Sequence, residues 1–278
     1  MKSNFVAKPG GTKLHYLQSG SDTGPLLICL HGLGGSTETF RPLLPRLPQS
    51  YKIILLDFPG FGKSPPPTGP PSVGQHVVDL HHVIKSLQEK TSGSEEKKVV
   101  IIGHSLGTVI ALHFAAQNPS IVAGLVLIGS ARSASHIPFV RQRMLDMAAN
   151  TRQNGIEWAA ELASKSNFPP LEKRQVDDAI RAEVSKAVAG SDPEAYALTC
   201  EMMVDESHED PDYSKITCPA VLVAGDLDVI SPVERSTGLA KLLGSKPCWV
   251  EVVMSGHQPI LEDAEGVAGA VERLLEKV

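Results

Sequence analysis

The 278-residue sequence contains no C-x-x-C pair, no H-x-x-x-H spacing and no Cys/His cluster, so no structural metal site is expected. Its four cysteines, at positions 29, 200, 218 and 248, are scattered. Cys29 falls in the apolar run Leu26–Leu30 and reads as a small buried thiol. A reduced, cytoplasmic protein without structural disulfides is the expectation. No apolar run approaches the roughly 20 residues that span a bilayer, and no signal-like hydrophobic segment follows Met1-Lys2-Ser3-Asn4-Phe5. No stretch is dense in Lys and Arg either. The 26 basic residues face 31 acidic ones, for a net charge of −5. That balance argues against nucleic acid or an anionic membrane and points to a small-molecule partner. The oligomeric state is not encoded in any readable feature, and no internal repeat is present.

What the sequence does contain is an alternation. Leu26–Leu30, Lys52–Leu56, Lys98–Ile102, Ala123–Ile128, Ala220–Ala224 and Cys248–Val253 are short, continuous runs rich in Val, Ile and Leu. Such runs suit strands buried on both faces of a helix-covered parallel sheet. Thr12–Ser19 alternates apolar and polar residues, as a half-exposed strand does. Helical spacing predicts Val73–Glu89, Leu106–Gln117, Val233–Leu243 (opened by Ser231-Pro232 and closed by Gly244) and Ala264–Glu276. The fold class is therefore α/β, with a doubly wound, mostly parallel sheet. Two segments interrupt the alternation. Ser64–Ser72 is too rich in proline for a helix interior, and Thr91–Lys98 reads as a solvated connector. Residues 134–214 hold helical patches at Val140–Thr151, Gly155–Ser166, Leu171–Val188 and Asp192–Val204, and no strand. They predict a helical cap inserted into a core made of residues 1–133 and 215–278.

The chemistry concentrates at Gly103-His104-Ser105-Leu106-Gly107, a G-x-S-x-G string set between a buried strand and a helix. A serine at such a corner sits in strained backbone that projects its hydroxyl out of the sheet, and side chains at the flanking glycines would collide with neighbouring elements. The N–H of Leu106 lies at the helix N-terminus. Three further motifs accompany it: His31-Gly32-Leu33-Gly34-Gly35-Ser36, Asp57-Phe58-Pro59-Gly60-Phe61-Gly62-Lys63-Ser64, and the late pair Gly225–Asp228 and Gly256-His257. Two nucleotide-binding patterns fail. Asp57 stands where a phosphate-binding G-x-x-x-x-G-K-S loop needs glycine, and Thr37 replaces the third glycine of a dinucleotide fingerprint. No cofactor is implied.

Together these motifs resemble the α/β-hydrolase fold, specifically its cofactor-free, capped serine hydrolases, over essentially the whole chain outside the cap. The resemblance implies the chain order nucleophile, acid, histidine. Ser105 is then the nucleophile and His257 its base. Asp228 is preferred as the orienting acid by the family's G-x-x-D pattern, with Asp226 as a turn-holding alternative. Residues 129–135 offer no carboxylate for the acid some relatives place there. The N–H groups of Leu33 and Leu106 are the expected oxyanion donors. His31 is expected to hold its loop, and His104 to pack the corner. Asp57–Ser64 matches the family's D-x-P-G-x-G-x-S turn, which braces the site.

Relatives that act on haloalkanes and epoxides carry aspartate where Ser105 stands, so acyl transfer to water is the implied reaction. A small carboxylic ester or lactone is the implied substrate, with a small-ester hydrolase or enol-lactonase as the similar branch. Thr108 and His104 depart from the enol-lactonase pattern. The alternatives are carbon–carbon bond hydrolysis or perhydrolysis with the same three residues, or a ligand receptor with little turnover. Phe139, Met144, Met147, Trp158, Phe168, Met202 and Met203 are candidates to line an apolar cleft. A carboxylate-bearing substrate would need a cation, and Arg132, Arg141, Arg143 and Arg152 are the candidates.

Overall fold

A computed structural model describes residues 1–8, 11–89 and 98–278. Among them, eight strands form one sheet: β1 (Lys2–Ala7), β2 (Lys13–Gly20), β3 (Leu26–Leu30), β4 (Lys52–Leu56), β5 (Val99–His104), β6 (Val122–Ile128), β7 (Ala220–Gly225) and β8 (Cys248–Val253). Their order is β1-β2-β4-β3-β5-β6-β7-β8. β1 and β2 pair antiparallel, as do β2 and β4, and every pairing from β4 to β8 is parallel. The sheet is mostly parallel, as the apolar runs require. β1 is absent from the sequence expectation because only Val6 of its six residues is buried, so no alternation marks it.

Strands β3, β4, β5 and β7 are buried at every position, and their two faces feed two cores. Ile28, Leu30, Ile54, Leu56, Ile101 and Leu222 pack with α1 (Val73–Glu89) and α2 (Leu106–Gln117). The alternate residues Leu27, Cys29, Ile53, Leu55, Val100 and Val221 pack on the other side with Leu43, Val267, Val271 and Leu274. Period-two alternation thus places apolar side chains in both layers, which is why these strands read as continuous runs. The Cys29 thiol is fully buried, which pushes its pKa up, and all four cysteines are free. No helix among the described residues is long and apolar enough to cross a membrane.

Between β6 and β7 the chain forms α3 (Pro138–Asn154), α4 (Ile156–Ser166), α5 (Asp178–Ala189) and α6 (Pro193–Met203). α5 starts seven residues later than expected. Pro169-Pro170 precedes a turn in which the N–H groups of Lys173 and Arg174 both donate to the Pro170 carbonyl, and Asp177 caps the helix through the Ala179 N–H. After β7, α7 (Val233–Ala240) is preceded by Pro232 at the cap position. The expected cap, Ser231, instead donates its hydroxyl to the Ser130 carbonyl. Two helices close the described chain, α8 (Pro259–Glu262) and α9 (Ala264–Leu275). Residues 91–97 of the predicted connector lie outside the described residues.

The turn after β4 is organised by one buried carboxylate. Asp57 accepts from the Thr37 N–H at 2.6 Å, the Lys63 N–H at 3.0 Å and His15 Nδ1 at 2.6 Å. Ser64 closes the turn by donating to the Asp57 carbonyl and accepting from the His15 N–H. Replacing Asp57 with Ala leaves these donors buried without an acceptor. Urea denaturation of D57A should therefore show a loss of about 3 kcal/mol or more.

Candidate active site

At the C-terminal end of β5 the backbone turns sharply into α2. Ser105 occupies this corner with φ 49° and ψ −112°, and among the described residues no other non-glycine has positive φ. The strain is held by close packing. A Cβ on Gly107 would lie 2.2 Å from the Leu30 carbonyl oxygen of β3, and one on Gly103 would lie 2.6 Å from the Gly107 carbonyl oxygen. The two glycines let helix and strand approach closely enough to force the corner. The Ser105 N–H donates to the Ile128 carbonyl at 2.9 Å. Thr108, which had no role in the sequence reading beyond departing from a pattern, ties the corner further. Its hydroxyl donates to the Ser105 carbonyl at 2.6 Å and accepts from the Ala131 N–H at 2.9 Å.

Three residues from distant parts of the chain meet here. His257, on the loop between β8 and α8, places Nε2 3.0 Å from Ser105 Oγ. Its Nδ1 lies 2.8 Å from Asp228 Oδ2, on the loop after β7. The Asp228 carboxylate is an acceptor only, so Nδ1 carries the proton and Nε2 presents a lone pair to the serine hydroxyl. Burial pushes the Asp228 pKa up. The His257 imidazole and the N–H groups of Ile230 and Ser231, both 2.8 Å from Oδ1, outweigh that effect and hold the carboxyl below its usual range. Asp226 is not part of this row. It pairs with Arg174 through contacts of 2.9 and 2.6 Å and accepts from the Ser255 N–H.

The other motif residues lie around this row. His31 donates from Nδ1 to the Gly32 carbonyl and accepts the Phe58 N–H at Nε2, which joins the glycine loop to the Asp57 turn. Burial lowers its pKa, so it is a neutral strut. His104 donates from Nε2 to the His257 carbonyl at 2.8 Å. Burial and the adjacent His257 lower its pKa to about 4. The backbone N–H groups of Leu33 and Leu106 donate to no acceptor among the described residues.

Three supports of the histidine loop were not read from the sequence. A Cβ on Gly129 would sit 3.2 Å from His257 Cε1, so the glycine makes room for the ring. The His257 N–H donates to the Asn167 carbonyl at 2.8 Å, linking the loop to the helical insertion. Glu262 accepts the Gly256 N–H at 2.9 Å, while its second oxygen is buried without a partner. These are contacts of loop backbone, which motif spacing does not report.

A cavity of about 250 Å³ opens over Ser105 and His257. Of the apolar candidates, Phe139, Met144, Met147 and Met203 line it. Phe168 instead packs beneath the Arg181 guanidinium, Met202 is buried in the core, and Trp158 packs against that core. Three of the four candidate arginines are engaged. Arg132 pairs with Asp210 at 2.6 Å, Arg141 with Glu206 at 3.2 Å, and Arg152 with Glu194 and Glu201.

Residues 25–264 match the family model for the alpha/beta hydrolase fold, and the chain belongs to that family. Its similarity extends to the 2-hydroxy-6-oxo-6-(2'-aminophenyl)hexa-2,4-dienoic acid hydrolase of Metapseudomonas resinovorans, 25% identical with 96% of this chain and 89% of that protein covered. Among solved structures, a thermophilic esterase from Thermogutta terrifontis aligns with a TM-score of 0.84 at 23% identity, covering 100% of this chain and 99% of that one. The enol-lactonase from Burkholderia xenovorans aligns with the same TM-score, 0.84, at 20% identity, covering 98% and 100%. The two structures share the fold.

Burial raises the Glu262 pKa to about 7. A carboxyl that binds its proton more tightly when folded than when unfolded loses stability for the protein as pH rises through that interval. Calorimetric scans should therefore show E262Q gaining on wild type in Tm between pH 5 and pH 8.

Proposed function

We propose that this protein is a serine hydrolase that cleaves a small carboxylic ester or lactone through an acyl-enzyme on Ser105. The observation that carries the reading is the continuous row from Asp228 through His257 to the Ser105 hydroxyl, with separations of 2.8 and 3.0 Å. His257 Nε2 takes the hydroxyl proton as Ser105 Oγ attacks the carbonyl carbon, and Asp228 stabilises the resulting imidazolium. The negative charge moves to the carbonyl oxygen, where the unengaged N–H groups of Leu33 and Leu106 receive it. Collapse returns the proton from His257 to the leaving alcohol, which in a lactone remains part of the same molecule. Water then repeats the sequence on the acyl-enzyme, releasing the acid and restoring Ser105. The helical insertion acts as a cap, supplying Met144, Met147 and Met203 to exclude water from the acyl group.

A second reading, carbon–carbon bond hydrolysis of a keto acid with the same residues, is favoured by the Metapseudomonas resinovorans hydrolase at 25% identity. Product analysis with a diketone acid separates it from ester cleavage.

A panel of p-nitrophenyl esters of increasing acyl length and simple lactones should be hydrolysed by wild type. S105A should be slower by about ten-thousand-fold with its Tm retained. Retained turnover in S105A rules the reading out. D228N should lower kcat by a comparable order, because Asn cannot hold the imidazolium. D226N, which loses only an ion pair and turn contacts, should lower kcat by less than tenfold. The reverse ranking would transfer the acid's role to Asp226.

A further inference from the structure

The charges around the cavity do not balance. Arg132, Arg143 and Arg235 line it, while no Asp or Glu does. Arg132 is neutralised by Asp210 and further occupied by Tyr213. Among the described residues, neither Arg143 nor Arg235 takes part in any ion pair or hydrogen bond through its guanidinium. The sequence offered Arg143 as one of four equal candidates. Nothing in the spacing of Arg235 ties it to the corner at Ser105.

The two unpaired arginines reach the cavity from different parts of the chain. Arg143 belongs to α3 of the helical insertion, and Arg235 to α7 of the sheet-bearing part. Arg143 is exposed and Arg235 half-buried. Their neighbours in the lining, Phe139 and Val229, are 76% and 63% exposed, which places this group at the mouth. Two like charges set at this open mouth create a field that favours an anion and that added salt screens. A guanidinium matches a carboxylate in shape and offers paired donors.

We infer that Arg143 and Arg235 form a carboxylate-recognising mouth, selecting small esters or lactones whose carboxylate lies at the end remote from the scissile carbonyl. This deepens the ester-hydrolase reading and rests on it for the location of the scissile bond. With the carbonyl at Ser105, the substrate's carboxylate would be held from both the insertion and the sheet-bearing part. The apolar lining of the cavity, Met144 and Met147 included, would cover the methylene chain.

The test uses a matched pair of five-carbon acyl esters, mono-p-nitrophenyl glutarate and p-nitrophenyl pentanoate, with wild type, R143M, R235M and the double variant. The readout is the ratio of kcat/KM for the half-acid to that for the neutral ester, so any general loss of activity cancels. Wild type should favour the half-acid, and each single variant should lower the ratio. The double variant should lower it by at least about tenfold, as expected for losing charge-assisted hydrogen bonds. The wild-type preference should also weaken as sodium chloride is raised, because screening acts on the charge and not on the chain. A wild-type ratio at or below one, or a ratio unchanged in the double variant, overturns the inference while Ser105-dependent hydrolysis of the neutral ester leaves the hydrolase reading standing. If neither ester is turned over faster than by S105A, the hydrolase reading fails. Calorimetric titration with glutarate then decides the anion site separately. Binding lost in the double variant supports it, and no binding to wild type overturns it.

Discussion

The closeness of helix α2 to strand β3 determines where the Ser105 hydroxyl can be. Gly107 lies so near the Leu30 carbonyl that even a methyl group would overlap it. Because the helix starts there, the chain leaving β5 has only one residue in which to reverse direction, and Ser105 takes the left-handed conformation that results. Backbone strain of this kind costs on the order of 1–3 kcal/mol. Two buried cores, one on each face of the sheet, supply the packing that holds it. The hydroxyl is thereby fixed by the sheet, and its partners only have to reach it.

They reach it on loops at the same end of the sheet, and each loop is held by its own polar contacts. The loop after β7 divides its two carboxylates. Asp228 turns inward to the imidazole with its other oxygen satisfied by two N–H groups, while Asp226 turns outward to Arg174 on the segment before α5. The glycine loop after β3 and the turn after β4 are joined through the neutral His31 ring and anchored on Asp57. Buried polar groups carry this work, and those of Asp57, His31 and Asp228 each meet a partner.

The sheet was legible because strands buried on both faces must be apolar at every position, as β3, β4, β5 and β7 are. The edge strand β1 was not, since only Val6 is buried and no pattern survives. Ser105, Asp228 and His257 were legible through motifs, because corner and loop geometry restrict which residues fit. Asn167 and Glu262 were not, because one contributes a backbone carbonyl and the other a distant oxygen. Arg143 differs from the other three candidate arginines in space and not in sequence, because Asp210, Glu206, Glu194 and Glu201 engage those three. Charge counting along a chain cannot reveal which charges remain uncompensated in space.

The hydrogen bond from the His257 N–H to the Asn167 carbonyl gives the insertion a second office. The segment that lines the cavity over Ser105 is also a tether for the imidazole's own backbone. A hinge that lifted α4 and α5 far enough to admit a larger guest would have to let go of that tether. Access to the cavity and the placement of the His257 ring are therefore mechanically linked, and a wide-open form would be a poorly aligned one.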